Sequence, residues 1–169
     1  MYPTHEGLGI YFQDITQKRM AAEQLLLLET AVSHLNDIVM ITQAAPKDGS
    51  GLKIVFVNGA FERQTGYGQD EAIGQSPRML YGPNTQHPEV ERILTALAHG
   101  ESARTELLKY NKRGNAYWVE IEAVPIADTQ GNLTHYVAIE RDISERKQVE
   151  EKTLQLNADL GAVIEAVVE

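Results

Sequence analysis

Residues 103–143 read ARTELLKYNKRGNAYWVEIEAVPIADTQGNLTHYVAIERDI, and this stretch decides the fold. Three strand-like segments, 103–110, 116–126 and 133–143, carry β-branched and aromatic residues. Asn111-Lys112-Arg113-Gly114-Asn115 and Asp128-Thr129-Gln130-Gly131-Asn132 separate them with hairpin chemistry. Together they predict a three-strand antiparallel meander. Within its middle strand, Glu120 and Glu122 alternate with Val119 and Ile121 and read as the polar face. Working outward, Ile38 to Gln43 and Lys53 to Asn58 predict two more strands across the turn Pro46-Lys47-Asp48-Gly49-Ser50-Gly51. Ala60 to Thr65 and Gln69 to Ile73 predict short helices broken at Gly66 and Gly74. Pro88 to Ala98, with Val90, Ile93, Leu94 and Leu97 at helical spacing, predicts a longer helix closed by Gly100. Two strands, several short helices and a meander make an α+β fold on a five-stranded antiparallel sheet, with short helices on one face.

The ends of the chain repeat one another. Asp14-Ile15-Thr16 followed by Lys18-Arg19 recurs as Asp142-Ile143-Ser144 followed by Arg146-Lys147, each after a strand-like run. In each copy the hydroxyl residue stands where a helix N-cap belongs. The helix that follows the first copy places Ala21, Leu25, Leu28, Val32 and Leu35 at spacings of 4-3-4-3. The second places Val149, Thr153, Leu156, Leu160, Val163 and Val167 at 4-3-4-3-4, in the same phase relative to its motif. Such a stripe is the seam of a coiled coil, which here predicts a homodimer, in parallel or antiparallel sense. The alternative is an amphipathic helix lying on its own domain. The acids Asp14 and Asp142 read either as helix-dipole caps or, with Thr16 and Ser144, as a relay between sheet and helix.

Composition narrows the function. The chain has 169 residues, 43% of them apolar, with 15 basic against 24 acidic residues, a net charge of −9 and no cysteine. A surplus of acid argues against a nucleic-acid partner, which is held through Lys and Arg. Without cysteine there is no disulfide framework, thiolate metal site or cysteine nucleophile. The longest aliphatic run, Leu25 to Leu28, is far short of the ~20 residues that span a bilayer, and no secretory signal pattern opens the chain. The expectation is a cytoplasmic protein with no membrane contact by this segment.

Residues 54–61 (IVFVNGAF), Thr65-Gly66-Tyr67, Ile73-Gly74, residues 110–114 (YNKRG), Trp118 and the closing Asp142-Ile143-Ser144 together resemble the PAS sensor domains over roughly 35–147. The resemblance implies four parts: residues 1–16 as the end of a preceding PAS domain, 17–35 as a linker helix, 36–143 as the PAS domain, and 144–169 as a signalling helix leading to a following domain. Residues 74–83 (GQSPRMLYGP) resemble the segment that carries the photoactive cysteine in the light-oxygen-voltage (LOV) flavin branch, with Pro77 in place of that cysteine. Proline offers no nucleophile, so no flavin–thiol adduct can form. Set against that branch, Tyr81 replaces a glutamine, Lys109 and Val119 replace two asparagines, and Glu140 replaces the glutamine that senses the ring. Arg78 matches a phosphate-holding position, while Leu94 takes the place of a second arginine. The pocket candidates are thus Asn58, Arg78, Tyr81 and Lys109, and neither flavin nor haem is expected as a cofactor.

No catalytic constellation is present. Ser76 is followed by Pro77-Arg78 and forms no nucleophile elbow, and there is no P-loop, HExxH or dinucleotide turn. Gly49-Ser50-Gly51 reads as a turn with no helix behind it to cradle phosphate. His87 and His99 lie off the apolar stripe of their helix, where an axial haem ligand would have to sit, and His34 lacks the surroundings of a phospho-acceptor. Asn132-Leu133-Thr134 matches a glycosylation pattern that a cytoplasmic chain would not use. The reading is therefore a regulatory sensory module without catalysis of its own. The resemblance to PAS domains implies that it relays signals to an output domain, a histidine kinase in preference to a diguanylate cyclase or phosphodiesterase. A small-ligand receptor core and a passive dimerisation spacer are the alternatives.

Overall fold

A computed structural model of the chain describes residues 18–28, 30–32, 34–44 and 51–168. The chain divides into two units, Met1–Leu35 and Asn36–Glu169. In the first, residues 18–28 and 30–32 form a helix, α1. The motif residues Asp14 and Thr16, and the strand expected before them, lie outside the described residues.

The second unit holds the sheet. Its elements in chain order are β1 (Ile38–Gln43), β2 (Lys53–Val57), α2 (Gly59–Thr65), α3 (Gln69–Ala72), a 3₁₀ turn (Pro77–Leu80) and α4 (His87–Ala98). β3 (Ala103–Tyr110), β4 (Ala116–Ala127), β5 (Leu133–Asp142) and α5 (Ser144–Val168) follow. The strands pair antiparallel in the order β2-β1-β5-β4-β3, so the meander β3-β4-β5 meets the first hairpin through β5 against β1. This is the five-stranded α+β plan that the strand pattern predicts.

The turns that make the meander are held by side chains. Asn111 Oδ1 accepts the main-chain N–H groups of Arg113 and Asn115, both at 3.0 Å, and Gly114 takes φ +82°. In the second turn, Asp128 Oδ1 accepts from Gln130 and Asn132 at 2.9 Å. The two loops are the same Asx device.

Alternation along β4 buries Tyr117, Val119, Ile121 and Ala123 on the face that packs on α4, whose Val90, Ile93 and Leu97 point inward. A second cluster joins Ile38, Met40, Ile54, Phe61 and Leu80 under β1 and β2. Between α4 and the 3₁₀ turn, residues 81–86 are pinned to the sheet. Thr85 Oγ1 donates to Leu108 O at 2.8 Å, and Gln86 Oε1 accepts the Leu108 N–H at 2.9 Å. Gly82 lies so close to the Tyr110 ring that any Cβ would overlap it.

Candidate functional site

Three strands deliver the site's floor. Sheet register sets Ala138 of β5 opposite both Met40 of β1 and Ala123 of β4, so Tyr136, Ala138 and Glu140 share the buried face. On β3, Leu107 and Lys109 fall in the same phase. Lys109 and Glu140 therefore meet across the intervening strand β4, with Nζ 2.6 Å from Oε1 and each side chain only 2% exposed. Isolated, either charge would be very costly in this apolar interior, and pairing offsets only part of the desolvation. Glu140 Oε2 is buried and has no hydrogen-bond partner. Among the described residues, Lys109 uses one of its three N–H donors.

Above this pair is a cavity of about 70 Å³, walled by aliphatic side chains of α4 and β4 together with Tyr81 and Tyr136. It shares Leu52, Pro77, Tyr81, Val90, Leu94 and Tyr136 with an outer groove of about 500 Å³ that also touches Arg78. Burial, reinforced by the Glu140 charge, pushes the Tyr81 phenol up to about 12, so it is a hydrogen-bond donor at neutral pH. Burial and then Glu140 also raise Tyr117, whose hydroxyl has no partner.

The four pocket candidates separate. Tyr81 and Lys109 line the inner cavity. Arg78 stands on the rim of the outer groove, largely exposed, 3.9 Å from Glu91. Asn58 touches neither space. Its Oδ1 accepts from Val39 N at 3.0 Å and caps α2 through Phe61 N at 3.4 Å, while its Nδ2 donates to Asp37 O at 3.0 Å. It clamps β1 to the start of α2, a structural role that its sequence setting did not separate from ligand binding.

The junction of sheet and C-terminal helix is a second constellation. Ile143 N donates to Trp118 O and Trp118 N donates to Ser144 Oγ, both at 2.9 Å. Ser144 is thus the first helical residue and not its cap, contrary to the sequence expectation. The free helix N–H is taken instead by Asp142, whose Oδ1 accepts from Ser144 N at 2.8 Å. One turn on, the Lys147 ammonium lies 5.0 Å from the centre of the Trp118 ring. It also pairs with Glu106 of β3, as does Arg146. The Lys147 hydrogen bond, with both cations nearby, holds the Glu106 carboxyl below its ordinary value.

Every described residue from Gln148 to Val167 is exposed, including the seam positions Val149, Leu156, Leu160, Val163 and Val167. In α1, Ala21, Leu25 and Leu28 are exposed as well. His34, His87 and His99 are exposed, with His99 Nδ1 bonded to Thr95 O at 2.7 Å and His34 Nδ1 to Thr30 O at 2.8 Å. Among the described residues there is no group of His, Asp and Glu able to hold a metal, and no helix long and apolar enough to cross a membrane.

The PAS domain family model matches residues 36–145, and the chain belongs to that family. The bacterioopsin transcriptional activator of Halobacterium salinarum is 31% identical over 114 residues, covering 68% of this chain and 17% of that protein. A blue-light-activated histidine kinase of Brucella anthropi is 37% identical over 91 residues, covering 54% of this chain and 18% of the kinase. The chain therefore spans less than a fifth of these relatives. Among solved structures, an RNA-binding light-oxygen-voltage receptor superposes with a TM-score of 0.71 at 25% identity, covering 84% of this chain and 39% of that one. The chain is a sensory signalling module.

One structural neighbour is a light-oxygen-voltage receptor, and the residues present here bear on the fit of a flavin. Pro77 has no thiol, and the floor of the cavity is a buried ion pair whose heads already face each other. The residues do not fit that group.

Proposed function

We propose that this chain is the regulatory sensory module of a cytoplasmic, bacterial-type sensor histidine kinase and works as a homodimer. Residues 1–16 end a preceding PAS domain, 17–35 link it to the core at 36–143, and 144–169 form the signalling helix toward an output domain. Asp142 and Ser144, and by repetition Asp14 and Thr16, relay sheet movement into the helices. The exposed 4-3 stripe on α5 carries this reading, because it starts one turn after the bolted junction. An apolar stripe of this length left in water is a site of association. Two chains joined along it would turn a shift at the sheet into a change of helix register, since neighbouring packings differ little in free energy.

Replacing Leu156 and Leu160 by Asp tests the seam. Light scattering on the full chain is expected to give a dimer for the parent and a monomer for the variant, with an unchanged circular dichroism spectrum. A variant that keeps the parent's mass removes the coiled-coil dimer. The same reading has the module working without flavin–thiol photochemistry. Protein incubated with FMN and desalted is expected to retain no structured flavin absorption, and stoichiometric retention would reverse the pocket assignment.

A further inference from the structure

Away from the cavity under the sheet, a cleft of about 270 Å³ opens between the C-terminal end of α2 and the turn that joins β3 to β4. It shares no lining residue with the cavity or the outer groove. Its two walls are tied together: Lys112 N donates to Thr65 O at 2.8 Å, and the Lys112 ammonium meets Glu71 of α3 at 2.5 Å. The turn itself is fixed by Asn111 Oδ1, so the cleft has a set shape.

The cleft has two electrical characters. Arg63 of α2 and Arg113 of the turn line it, and no acidic side chain does, a local reversal in a chain of net charge −9. Arg113 has no ion-pair partner among the described residues. Gln64, between them on α2, is of the opposite kind. Its Nε2 is committed to Asn36 O at 2.8 Å, which leaves Oε1 buried with no donor. The helix also ends on this cleft, at Gly66, and a helix C-terminus favours a cation. Guanidinium forks call for carboxylates, while a buried oxygen without a donor calls for an N–H group. Phosphate and simple dicarboxylates bring acceptors only, and a simple amine meets two guanidiniums. Two carboxylates and one ammonium in the same small molecule answer all three groups.

We infer that the cleft between α2 and the β3–β4 turn is a binding site for an acidic α-amino acid, whose carboxylates pair with Arg63 and Arg113 and whose ammonium donates to Gln64 Oε1. Occupancy bridges α2 to the start of β4, two residues before the Trp118 that holds α5. The inference goes beyond the sensory reading above and stands whether or not the chain dimerises.

The probes are L-glutamate and glutarate, which is the same molecule without its ammonium, titrated into the full unmodified chain at constant ionic strength and followed by backbone and side-chain amide NMR. Charge alone ranks glutarate first, since it is the stronger anion. The expected result is the reverse: saturable binding of L-glutamate with the largest shifts at Gln64, Gly66, Arg113 and Asn115, and glutarate weaker by on the order of tenfold, the factor one charge-assisted hydrogen bond supplies. Arg113→Gln, which removes an exposed side chain that holds nothing in the fold, should weaken L-glutamate several-fold. Glutarate binding as well as L-glutamate or better would show a plain anion patch. That result, shifts centred elsewhere, an unchanged affinity in Arg113→Gln, or no saturable binding of L-glutamate overturns the inference. The mass of the Leu156 and Leu160 variant is read separately, so neither result decides the other.

Discussion

Two ion-pair systems tie distant parts of this domain together, and they sit in opposite surroundings. Lys109 and Glu140 meet in the interior at 2% exposure, while Glu106 with Arg146 and Lys147 lies where β3 and α5 face water. In the interior, solvent does not screen the charges. Either partner alone is a severe liability, so the pair is all-or-none. At the surface each contact is worth a few tenths of a kcal/mol up to about 1 and can be made or broken without endangering the fold. The buried pair can therefore fix a geometry, whereas the exposed cluster can adjust one.

The largest expected effect breaks the interior pair. Glu140→Ala, which leaves Lys109 uncompensated, should lose on the order of 3–5 kcal/mol in urea unfolding. The double variant Lys109→Met with Glu140→Leu should recover most or all of that loss. If the single variants cost no more than a surface substitution, the interior is wetter than the 2% exposure implies. A smaller effect belongs to the junction. Ser144→Ala removes the acceptor of the Trp118 N–H and should cost about 1 kcal/mol, seen as faster exchange of that amide with the midpoint of global unfolding little moved. A global loss as large as that of Glu140→Ala would erase the contrast between the two regions.

The smallest effect is a titration. Glu106 has its carboxyl held down in the folded protein, chiefly by Lys147, so it binds protons less readily folded than unfolded. Its contribution is therefore complete above the ordinary carboxylate value of about 4.3 and is lost as pH falls through the depressed folded value. Carboxyl-carbon NMR should place the Glu106 midpoint below that ordinary value, with amide exchange in the first turn of α5 rising only in acid. A midpoint at or above the ordinary value would show that the cations do not hold it.

Much of the fold was legible because it is governed by local rules. The Asn111 and Asp128 turns, the period-2 strands and the apolar stripe of α4 all announce themselves within a dozen residues. The sites were legible only in part, because they depend on register. Lys109 and Glu140 are 31 residues apart on strands that are not neighbours, and only the order β2-β1-β5-β4-β3 brings them together. A signal was present nonetheless: Lys109 is in phase with the buried Leu107, and Glu140 is in phase with Ala138 on the inward face. Charged residues in core phase on two strands ask for one another. The partners of Asn58 and Ser144 were illegible for a different reason. Short polar side chains before a helix have several main-chain partners within reach, and tertiary contacts with β1 and β4 decided which they took.

The attachment of α5 to β4 as well as to the end of its own strand has a mechanical consequence. A helix of 25 residues is a lever about 37 Å long, pivoted where Trp118 grips Ile143 and Ser144. Tilting such a rod by roughly 10° about that pivot swings its far end through about 6 Å, a full helical turn's worth of travel. Displacements at the sheet too small to disturb its hydrogen bonds would thus arrive, at the distal end, magnified to the scale of a side chain.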